Sequence, residues 1–211
     1  MRVLILGAGP AGLTAARTLR ELAPSRSIDP VITMVSAEPS PPYSPPAMAD
    51  YFLTGREATL YWQGKDVCDR LRVDFCAGSA VEAVYPGQRQ ALLTDGSYLD
   101  YDRLIIATGS RLHAPLEGYE LPGVYNFKSL EAARLLVESV KAGNTNSALI
   151  VGAGFIGVEV AVLLNELGCN VTIIDKLWLM PSILDEETAE LVLNDLRNRG
   201  IVVHQYTEAL R

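Results

Sequence analysis

Two short apolar runs stand out in the hydrophobic pattern of this 211-residue chain, one at its start and one in its second half. Leu4 to Leu6 and Leu149 to Val151 are uninterrupted, and each leads into a glycine-rich turn and then a stretch suited to a helix. Continuous apolar runs are typical of strands that are buried in a parallel sheet. The pattern therefore predicts two strand–turn–helix units and an α/β fold.

The turn of each unit carries three glycines at G-x-G-x-x-G spacing. The first permits a tight turn, the second lets a pyrophosphate approach the backbone, and the third lets helix and strand pack closely. Phosphates would then lie at the N-terminus of a helix, where the helix dipole favours negative charge. One such motif is weak evidence, but two in the same setting indicate two dinucleotide sites. The glycines are Gly7, Gly9 and Gly12 in the first copy and Gly152, Gly154 and Gly157 in the second.

An acidic residue follows the next strand of the second unit. A strand is predicted over 170–174, and Asp175 stands 18 residues beyond Gly157. A carboxylate there can accept hydrogen bonds from a ribose 2′-hydroxyl, whereas it would repel a 2′-phosphate. The position favours NADH over NADPH. The neighbouring Lys176 leaves NADPH open as the alternative, because a cation can accommodate a 2′-phosphate.

The first unit repeats this order with a longer connection. A helix over 11–23 and a strand over 31–35 lead to Glu38, which stands 26 residues beyond Gly12. A further apolar strand lies within residues 101–110. Small side chains at the carboxyl end of a parallel strand allow a cofactor to lie against the backbone. In this strand they are Ala107, Thr108 and Gly109.

The organisation follows from these units. We predict a first domain over 1–113 and a second over 114–211, which is incomplete at its C-terminal end. A small antiparallel insertion is expected within residues 73–99 of the first domain. In the second domain Ser129 and Asp185 are placed to cap helices that follow them.

Composition restricts the class of partner. The formal net charge is −7, and no cluster of Lys and Arg is present, which argues against nucleic acid as the main partner. No stretch approaches the ~20 apolar residues of a membrane-spanning helix. The first strand begins directly after Met1 without the pattern of a signal peptide. We therefore expect a cytoplasmic protein.

The cysteines and histidines suggest neither a disulfide framework nor a metal site. Cys68, Cys76 and Cys169 are odd in number and form no C-x-x-C pair. His113 and His204 are isolated and stand at no ligand spacing from a cysteine. We expect reduced thiols and no bound metal.

Three motifs together give a specific resemblance that covers essentially the whole chain. GAGPAGL, YDRLIIATGS and LIVGAGFIGVEVA occur in this order. The set resembles the FAD-dependent pyridine nucleotide-disulfide oxidoreductases, which include NADH oxidases, flavin subunits of nitrite reductases, and ferredoxin or rubredoxin reductases. The resemblance implies two Rossmann-like domains, the first for FAD and the second for NAD(P)H.

The resemblance also implies site residues by position. Those for FAD are Gly7, Gly9, Pro10, Ala11, Gly12, Glu38, Val81 beside the adenine, Ala107, Thr108 and Gly109. Those for the nicotinamide nucleotide are Gly152, Gly154, Phe155, Ile156, Gly157, Asp175, and Glu159 near the nicotinamide. No catalytic residue is assigned, because hydride transfer between the cofactors requires no acid or base from the protein.

The chain departs from the family in the proline-rich segment 38–52. Members of the family place a redox cysteine or a lysine here, whereas this chain has Pro46 or Ala47 at about the cysteine position and Asp50 at about the lysine position. A thiol mechanism is therefore not expected. The segment is either an extended polyproline linker or an ordered loop that covers the cofactor, and Tyr51 favours the ordered loop.

The resemblance implies an oxidoreductase that passes hydride from NADH to FAD and on to a small molecule or a small redox protein. Family members continue beyond this length with a further flavin-binding segment and an interface domain. The chain is then a fragment of a longer reductase, the partner of another chain, or a non-catalytic nucleotide-binding subunit. At full length, we expect a homo-oligomer or a complex with a partner chain.

Overall fold

The structure, a computed structural model, describes residues 1–110 and 116–210. Helices and strands alternate through much of this part of the chain. The helices are α1 (Pro10–Leu22), α2 (Met48–Thr54), α3 (Glu57–Leu60), α4 (Val67–Arg70), α5 (Leu130–Lys141), α6 (Phe155–Glu166) and α7 (Glu186–Asn198). The strands are β1 (Arg2–Leu6), β2 (Val31–Val35), β3 (Val73–Cys76), β4 (Val81–Tyr85), β5 (Gln90–Leu93), β6 (Tyr98–Asp100), β7 (Arg103–Ile106), β8 (Ser147–Val151), β9 (Asn170–Ile174) and β10 (Val202–His204).

The described residues form two compact units. The first comprises residues 1–45 and 57–110, and the second comprises residues 46–56 and 116–210. The segment that carries α2 thus belongs with the second unit, although both of its chain neighbours belong to the first. The domain boundary predicted at residue 113 falls outside the described residues, as does His113, and it stays a prediction.

The first unit is built on a parallel sheet in the order β3-β2-β1-β7. Alternate residues of β1 point to opposite faces. Val3 and Ile5 pack with helical residues such as Leu13, whereas Leu4 and Leu6 pack on the other face against the antiparallel sheet β4-β5-β6. Both faces of β1 are therefore buried, as the apolar run predicted.

The second unit has a three-stranded parallel sheet in the order β10-β9-β8. Ile150 and Ile173 face a core to which α5, α6 and α7 contribute. Leu149 and Val151, however, are 62% and 52% exposed. The prediction of a fully buried strand is therefore wrong for one face of β8, because among the described residues no second layer covers that face.

The other predicted elements agree with the structure, except that the prediction of residues 73–76 within an antiparallel insertion is wrong. The strands predicted over 31–35 and 170–174 are β2 and β9, with the same bounds. Within the predicted insertion, β4, β5 and β6 are antiparallel, whereas β3 extends the parallel sheet beside β2. The α/β class and the two Rossmann-like units are confirmed.

Helix starts in the second unit show the predicted caps. The Ser129 hydroxyl accepts a hydrogen bond from the backbone N–H of Ala132 at 3.3 Å. The Asp185 carboxylate accepts one from Thr188 at 2.7 Å. Each cap satisfies one of the otherwise unpaired N–H groups of the first helical turn.

None of the helices within residues 1–110 and 116–210 is both long enough and apolar enough to span a bilayer.

Candidate functional site

The first glycine turn closes tightly against two neighbouring strands. The N–H of Gly7 donates to the carbonyl of Val35 at 2.8 Å, and the N–H of Ala107 donates to Leu6 at 2.8 Å. Gly7 has a φ of +104°, and a Cβ there would lie 2.2 Å from the carbonyl oxygen of Ala107. Only glycine fits such a position. The turn, the end of β2 and the end of β7 thus meet at one edge of the sheet.

The third glycine of each motif lets the helix pack on its own turn. A Cβ at Gly12 would lie 2.0 Å from the carbonyl oxygen of Gly7, and a Cβ at Gly157 would lie 1.9 Å from that of Gly152. Real Cβ atoms do not approach backbone so closely. The two turns therefore have nearly the same local geometry, as their shared spacing predicted.

The second glycine of each motif faces open space. Gly9 and Gly154 are the N-caps of α1 and α6, and both have extended backbone that any residue can adopt. Among the described residues, no atom beyond the chain neighbours lies within 4 Å of a Cβ built at either position. Neither turn is plugged by a side chain, so an approaching ligand could reach the backbone there.

The starts of α1 and α6 also differ electrostatically from those of α5 and α7. Neither α1 nor α6 has a side-chain cap or an acidic residue in its first turn. In contrast, α5 and α7 have both. Uncapped N–H groups and the positive end of the helix dipole favour a bound anion. The two glycine turns thus fit the pyrophosphate of a dinucleotide.

Glu38 is held in place by a residue that sequence reasoning missed. The Tyr43 hydroxyl lies 3.0 and 2.9 Å from the two carboxylate oxygens of Glu38, to which it donates. Tyr43 is buried and Glu38 is half-buried. The sequence feature that could have predicted this contact is a tyrosine in the proline-rich segment, five residues after the acid. The hydroxyl orients the carboxylate and leaves acceptor capacity for a ribose.

Val81 reaches the same edge through the turn before β4. The N–H of Gly78 donates to the backbone carbonyl of Glu38 at 3.1 Å, and the N–H of Ser79 donates to the backbone carbonyl of Ser36 at 2.8 Å. Val81 is half-buried in the cluster between the two sheets of the first unit. Thr108 and Gly109 follow β7 and are exposed. Every residue predicted for the first site therefore lies in this unit.

Asp175 is hydrogen-bonded directly to the second glycine turn. One carboxylate oxygen accepts from the N–H of Ala153 at 2.6 Å, and the other accepts from the N–H of Leu177 at 2.8 Å. The N–H of Gly152 donates to the backbone carbonyl of Ile174, at the end of β9, at 2.9 Å. The acid and the turn are thus held together, and each carboxylate oxygen retains a lone pair for a ligand.

Lys176 is paired in the structure. Its ammonium lies 2.5 Å from a carboxylate oxygen of Glu208, and both side chains are more than half exposed. This pair could not be predicted from the sequence, because α7 and β10 separate the two residues.

Glu159 lies on α6, one turn beyond the open glycine. Burial raises the pKa of its half-buried carboxyl. The structure records no hydrogen bond or ion pair between Glu159 and another described residue. Phe155 and Ile156, at the start of the same helix, are 58% and 61% exposed. An unpaired acid and exposed apolar side chains thus lie together near the second turn.

The proline-rich segment is packed and does not form an extended linker. A 3-10 turn over Pro45–Ala47 leads into α2, where Met48 and Ala49 are buried. Ala49 packs with Val137 of α5 and Leu163 of α6. The ordered alternative is therefore confirmed. Its predicted role as a cover for a cofactor stays a prediction.

The cysteines have the properties of inert thiols. Burial raises the pKa of Cys68 to about 11, with a smaller effect from Asp69. Burial also raises the pKa of Cys76 and of Cys169. Only the thiolate is a strong nucleophile, so none of them suits disulfide chemistry. Among the described residues, no cluster of His, Cys, Asp and Glu could hold a metal ion.

Comparison with known proteins identifies the family. The model for pyridine nucleotide-disulphide oxidoreductases matches residues 1–210, and the chain belongs to this family. Members of the family are FAD-dependent and use NAD(P)H.

Three known proteins show the extent of the similarity. The ferredoxin–NAD(+) reductase component of a 3-phenylpropionate/cinnamic acid dioxygenase from Photorhabdus laumondii is 34% identical over 82% of this chain and 43% of its own length. An NADH oxidase from Methanocaldococcus jannaschii is 29% identical over 96% of this chain and 46% of its own. The solved structure of an NAD-dependent persulfide reductase from A. fulgidus has a TM-score of 0.86 at 28% identity, and it covers 100% of this chain and 41% of the other. The chain thus spans less than half the length of each.

Proposed function

We propose that this chain is the dinucleotide-binding part of an oxidoreductase that takes hydride from NADH onto FAD and passes the electrons to a further acceptor. One observation carries the proposal. Each of two glycine turns has an open second glycine at an uncapped helix start, with an acid placed after the next strand. A single turn of this kind would support one nucleotide, whereas two support a pair.

We assign the first turn to FAD. The pyrophosphate would lie at Gly9 and the start of α1, and Glu38, oriented by Tyr43, would accept hydrogen bonds from the ribose. Val81 would lie beside the adenine. The remaining residues of this site are Gly7, Pro10, Ala11, Gly12, Ala107, Thr108 and Gly109.

We assign the second turn to NADH. The pyrophosphate would lie at Gly154, and Asp175 would accept from the ribose 2′-hydroxyl while it repels a 2′-phosphate. Glu159 is assigned to the nicotinamide side of the site because its carboxyl is half-buried and has no partner among residues 1–110 and 116–210. The remaining residues are Gly152, Phe155, Ile156 and Gly157.

The chain contributes binding and orientation to the reaction. FAD, when bound, supplies the hydride-accepting and electron-transferring chemistry. The helix starts at the two turns would hold the pyrophosphates, the two acids would orient the riboses, and apolar side chains such as Phe155 and Ile156 would exclude water. This transfer needs no acid or base from the chain, so we assign no catalytic residue.

The acceptor is a small molecule or a small redox protein. The inert thiols argue against a disulfide acceptor. Relatives named as ferredoxin reductase and NADH oxidase support either a small redox protein or oxygen. We also expect a cytoplasmic protein that functions as a homo-oligomer or with a partner chain.

A pair of matched substitutions tests the assignment. Gly9→Val and Gly154→Val introduce a side chain into open space on permissive backbone, so both variants should fold. The purified chain should bind FAD, with absorbance near ~450 nm that NADH bleaches anaerobically within ~ms to minutes, the range of ordinary turnover. Gly9→Val should lose the flavin. Gly154→Val should keep the flavin and lose the bleaching by NADH.

Two results would contradict this function. If the chain binds flavin that NADH does not bleach, the alternative of a non-catalytic nucleotide-binding subunit holds. If Gly9→Val and Gly154→Val both retain wild-type affinity for FAD and NADH, the glycine turns are not the nucleotide sites. Urea unfolding of both variants serves as the control for intact folding.

A further inference from the structure

The ion pair between Lys176 and Glu208 lies beside the acid assigned to the ribose. Lys176 directly follows Asp175, and its ammonium lies 2.5 Å from Glu208. Lys176 is 69% exposed and Glu208 is 53% exposed, so the pair faces solvent.

The position of Glu208 is fixed by the segment that leads to it. The N–H of Thr207 donates to the carbonyl of Asp175 at 2.7 Å. The side-chain oxygen of Gln205 accepts from the N–H of Leu179 at 2.9 Å. The Tyr206 hydroxyl donates to a carboxylate oxygen of Glu186 on α7 at 2.5 Å. The backbone of residues 205–207 is thus fastened to the end of β9 and to α7, which places Glu208 beside Lys176.

The pair changes the charge that a 2′-phosphate would meet. Asp175 and Lys176 alone sum to zero, and a free ammonium next to the ribose can accept a phosphate. With Glu208 the three side chains sum to −1, and the ammonium is already engaged. Both effects disfavour the binding of a nucleotide with a 2′-phosphate. Neither changes the binding of a nucleotide with a 2′-hydroxyl, because the hydroxyl is uncharged.

We propose that Glu208 is a second determinant of nucleotide specificity, which disfavours NADPH by engaging the Lys176 ammonium that could otherwise pair with the 2′-phosphate. This inference rests on the proposed NADH site at the second glycine turn. Asp175 acts on the ribose directly, whereas Glu208 acts through Lys176 and is therefore a positioning residue. The pair is exposed and screened by salt, so its effect is several-fold.

Substitution of Glu208 tests the proposal. Glu208→Gln in the 211-residue chain should tighten NADPH binding about two- to fivefold, the range set by an exposed ion pair, and leave NADH binding unchanged. Glu208→Lys should tighten NADPH binding further. The matched control is Glu190→Gln on α7, which removes the carboxylate of another exposed pair, with Arg197 at 2.6 Å. This control should change neither affinity.

A double-mutant cycle tests whether Glu208 acts through Lys176. In the Lys176→Gln background, Glu208→Gln should lose most of its effect on NADPH. The gain in wild-type background should also shrink as salt is raised, because the charges are exposed. If the gain is equally large without Lys176, the mechanism proposed for Glu208 is wrong.

The remaining outcomes separate this inference from the function on which it rests. If NADH binds at the second turn but Glu208→Gln leaves the ratio of the two affinities unchanged, the inference fails and the proposed function stands. If the wild-type chain binds neither nucleotide, or if Gly154→Val does not impair binding, the assignment of the second turn fails and the inference falls with it.

Discussion

The first strands of the two units have nearly the same sequence but different surroundings. Leu4 and Leu6 of β1 are 2% and 4% exposed, whereas their counterparts Leu149 and Val151 of β8 are 62% and 52% exposed. In the first unit β7 pairs with one edge of β1 and the sheet β4-β5-β6 covers one face. Among the described residues, β8 has neither neighbour. An apolar strand is therefore buried only where the fold supplies a second layer.

The glycine turns, in contrast, hardly differ. Gly7 and Gly152 have φ values of +104° and +110°, and the third glycine packs against the first with almost the same clearance in both units. Each turn is built from its own strand and helix together with the end of the next strand. The difference between the units shows that the turn is a local feature, whereas the burial of the strand depends on distant segments.

The largest loss of folding stability is expected when a charge is placed on the covered face of β1. Leu4→Asp should destabilise the first unit by about 5 kcal/mol or more, because it removes a buried side chain and buries a carboxylate. Leu149→Asp should change the second unit by no more than about 0.5 kcal/mol. Urea unfolding can follow the units separately by tryptophan fluorescence, since Trp62 lies in the first and Trp178 in the second.

Two single-tryptophan backgrounds make that measurement specific. Trp178→Phe leaves Trp62 to report on the first unit, and Trp62→Phe leaves Trp178 to report on the second. Leu149→Val serves as the conservative control. A loss of stability for Leu149→Asp as large as that for Leu4→Asp would show that the face of β8 is covered in solution.

The next largest loss of folding stability is expected on substitution of the first glycine of each turn. Gly152→Ala should cost about 1–3 kcal/mol from backbone strain at positive φ, since nothing else crowds its Cβ. Gly7→Ala should cost about 1–3 kcal/mol more, because its Cβ would also overlap the carbonyl of Ala107 on the neighbouring chain segment. The same fluorescence assay measures both losses. Equal losses would mean that the chain after β7 does not lie against the first turn.

A smaller effect is expected at the side-chain caps of α5 and α7 in the second unit. Ser129→Ala should destabilise the second unit by about 0.5–2 kcal/mol at every pH and leave the Trp62 signal unchanged. Asp185→Asn should destabilise it in a pH-dependent way. Hydrogen bonds from Thr188 hold the pKa of the Asp185 carboxyl below its ordinary value. Its stabilisation is therefore present above the ordinary aspartate pKa and lost as the pH falls through the lowered one.

The pH dependence of the urea midpoint distinguishes the contributions of the two caps. The difference in urea midpoint between the wild type and Ser129→Ala should stay constant from neutral to acidic pH. The difference for Asp185→Asn should shrink at the acidic end. A constant difference for both would show that the Asp185 carboxylate contributes no charge-dependent stabilisation.

The smallest effect is expected at Glu159, which occupies the position of the exposed Thr14 in the first unit. Because burial raises the pKa of this carboxyl, the folded state binds its proton more tightly, and the charge destabilises the fold as the pH rises through that raised pKa. Glu159→Gln should therefore raise the urea midpoint of the second unit at neutral pH and not below the ordinary glutamate pKa. Thr14→Val is the control. A midpoint that does not move at neutral pH would mean that the carboxylate is well solvated.

Much of the fold could be predicted from short stretches of sequence. The strands β2 and β9, the glycine turns and the caps at Ser129 and Asp185 came out with correct positions because each depends on neighbouring residues. The strand β3 was harder to place. Its four residues include the charged Asp74, and so short a segment does not by itself distinguish pairing beside β2 from pairing within an antiparallel insertion.

The candidate sites were predictable in part for the same reason. Spacing alone locates the acids after the strands. It does not reveal that Tyr43 holds Glu38 or that Ala153 donates to Asp175. Those contacts depend on how a loop returns to the sheet, and several paths of the loop are compatible with one sequence.

Short stretches of the chain are sufficient to specify the local elements: two strand–turn–helix units, their glycine geometry, and the acid that follows each second strand. Steric limits on the backbone and the periodicity of apolar residues act over a few positions and can be read in order along the chain. Three other features depend on tertiary packing: one face of β8 is exposed, α2 packs with the second unit, and Glu208 pairs with Lys176. These features join residues far apart in sequence, and the packing of whole segments determines which of them meet.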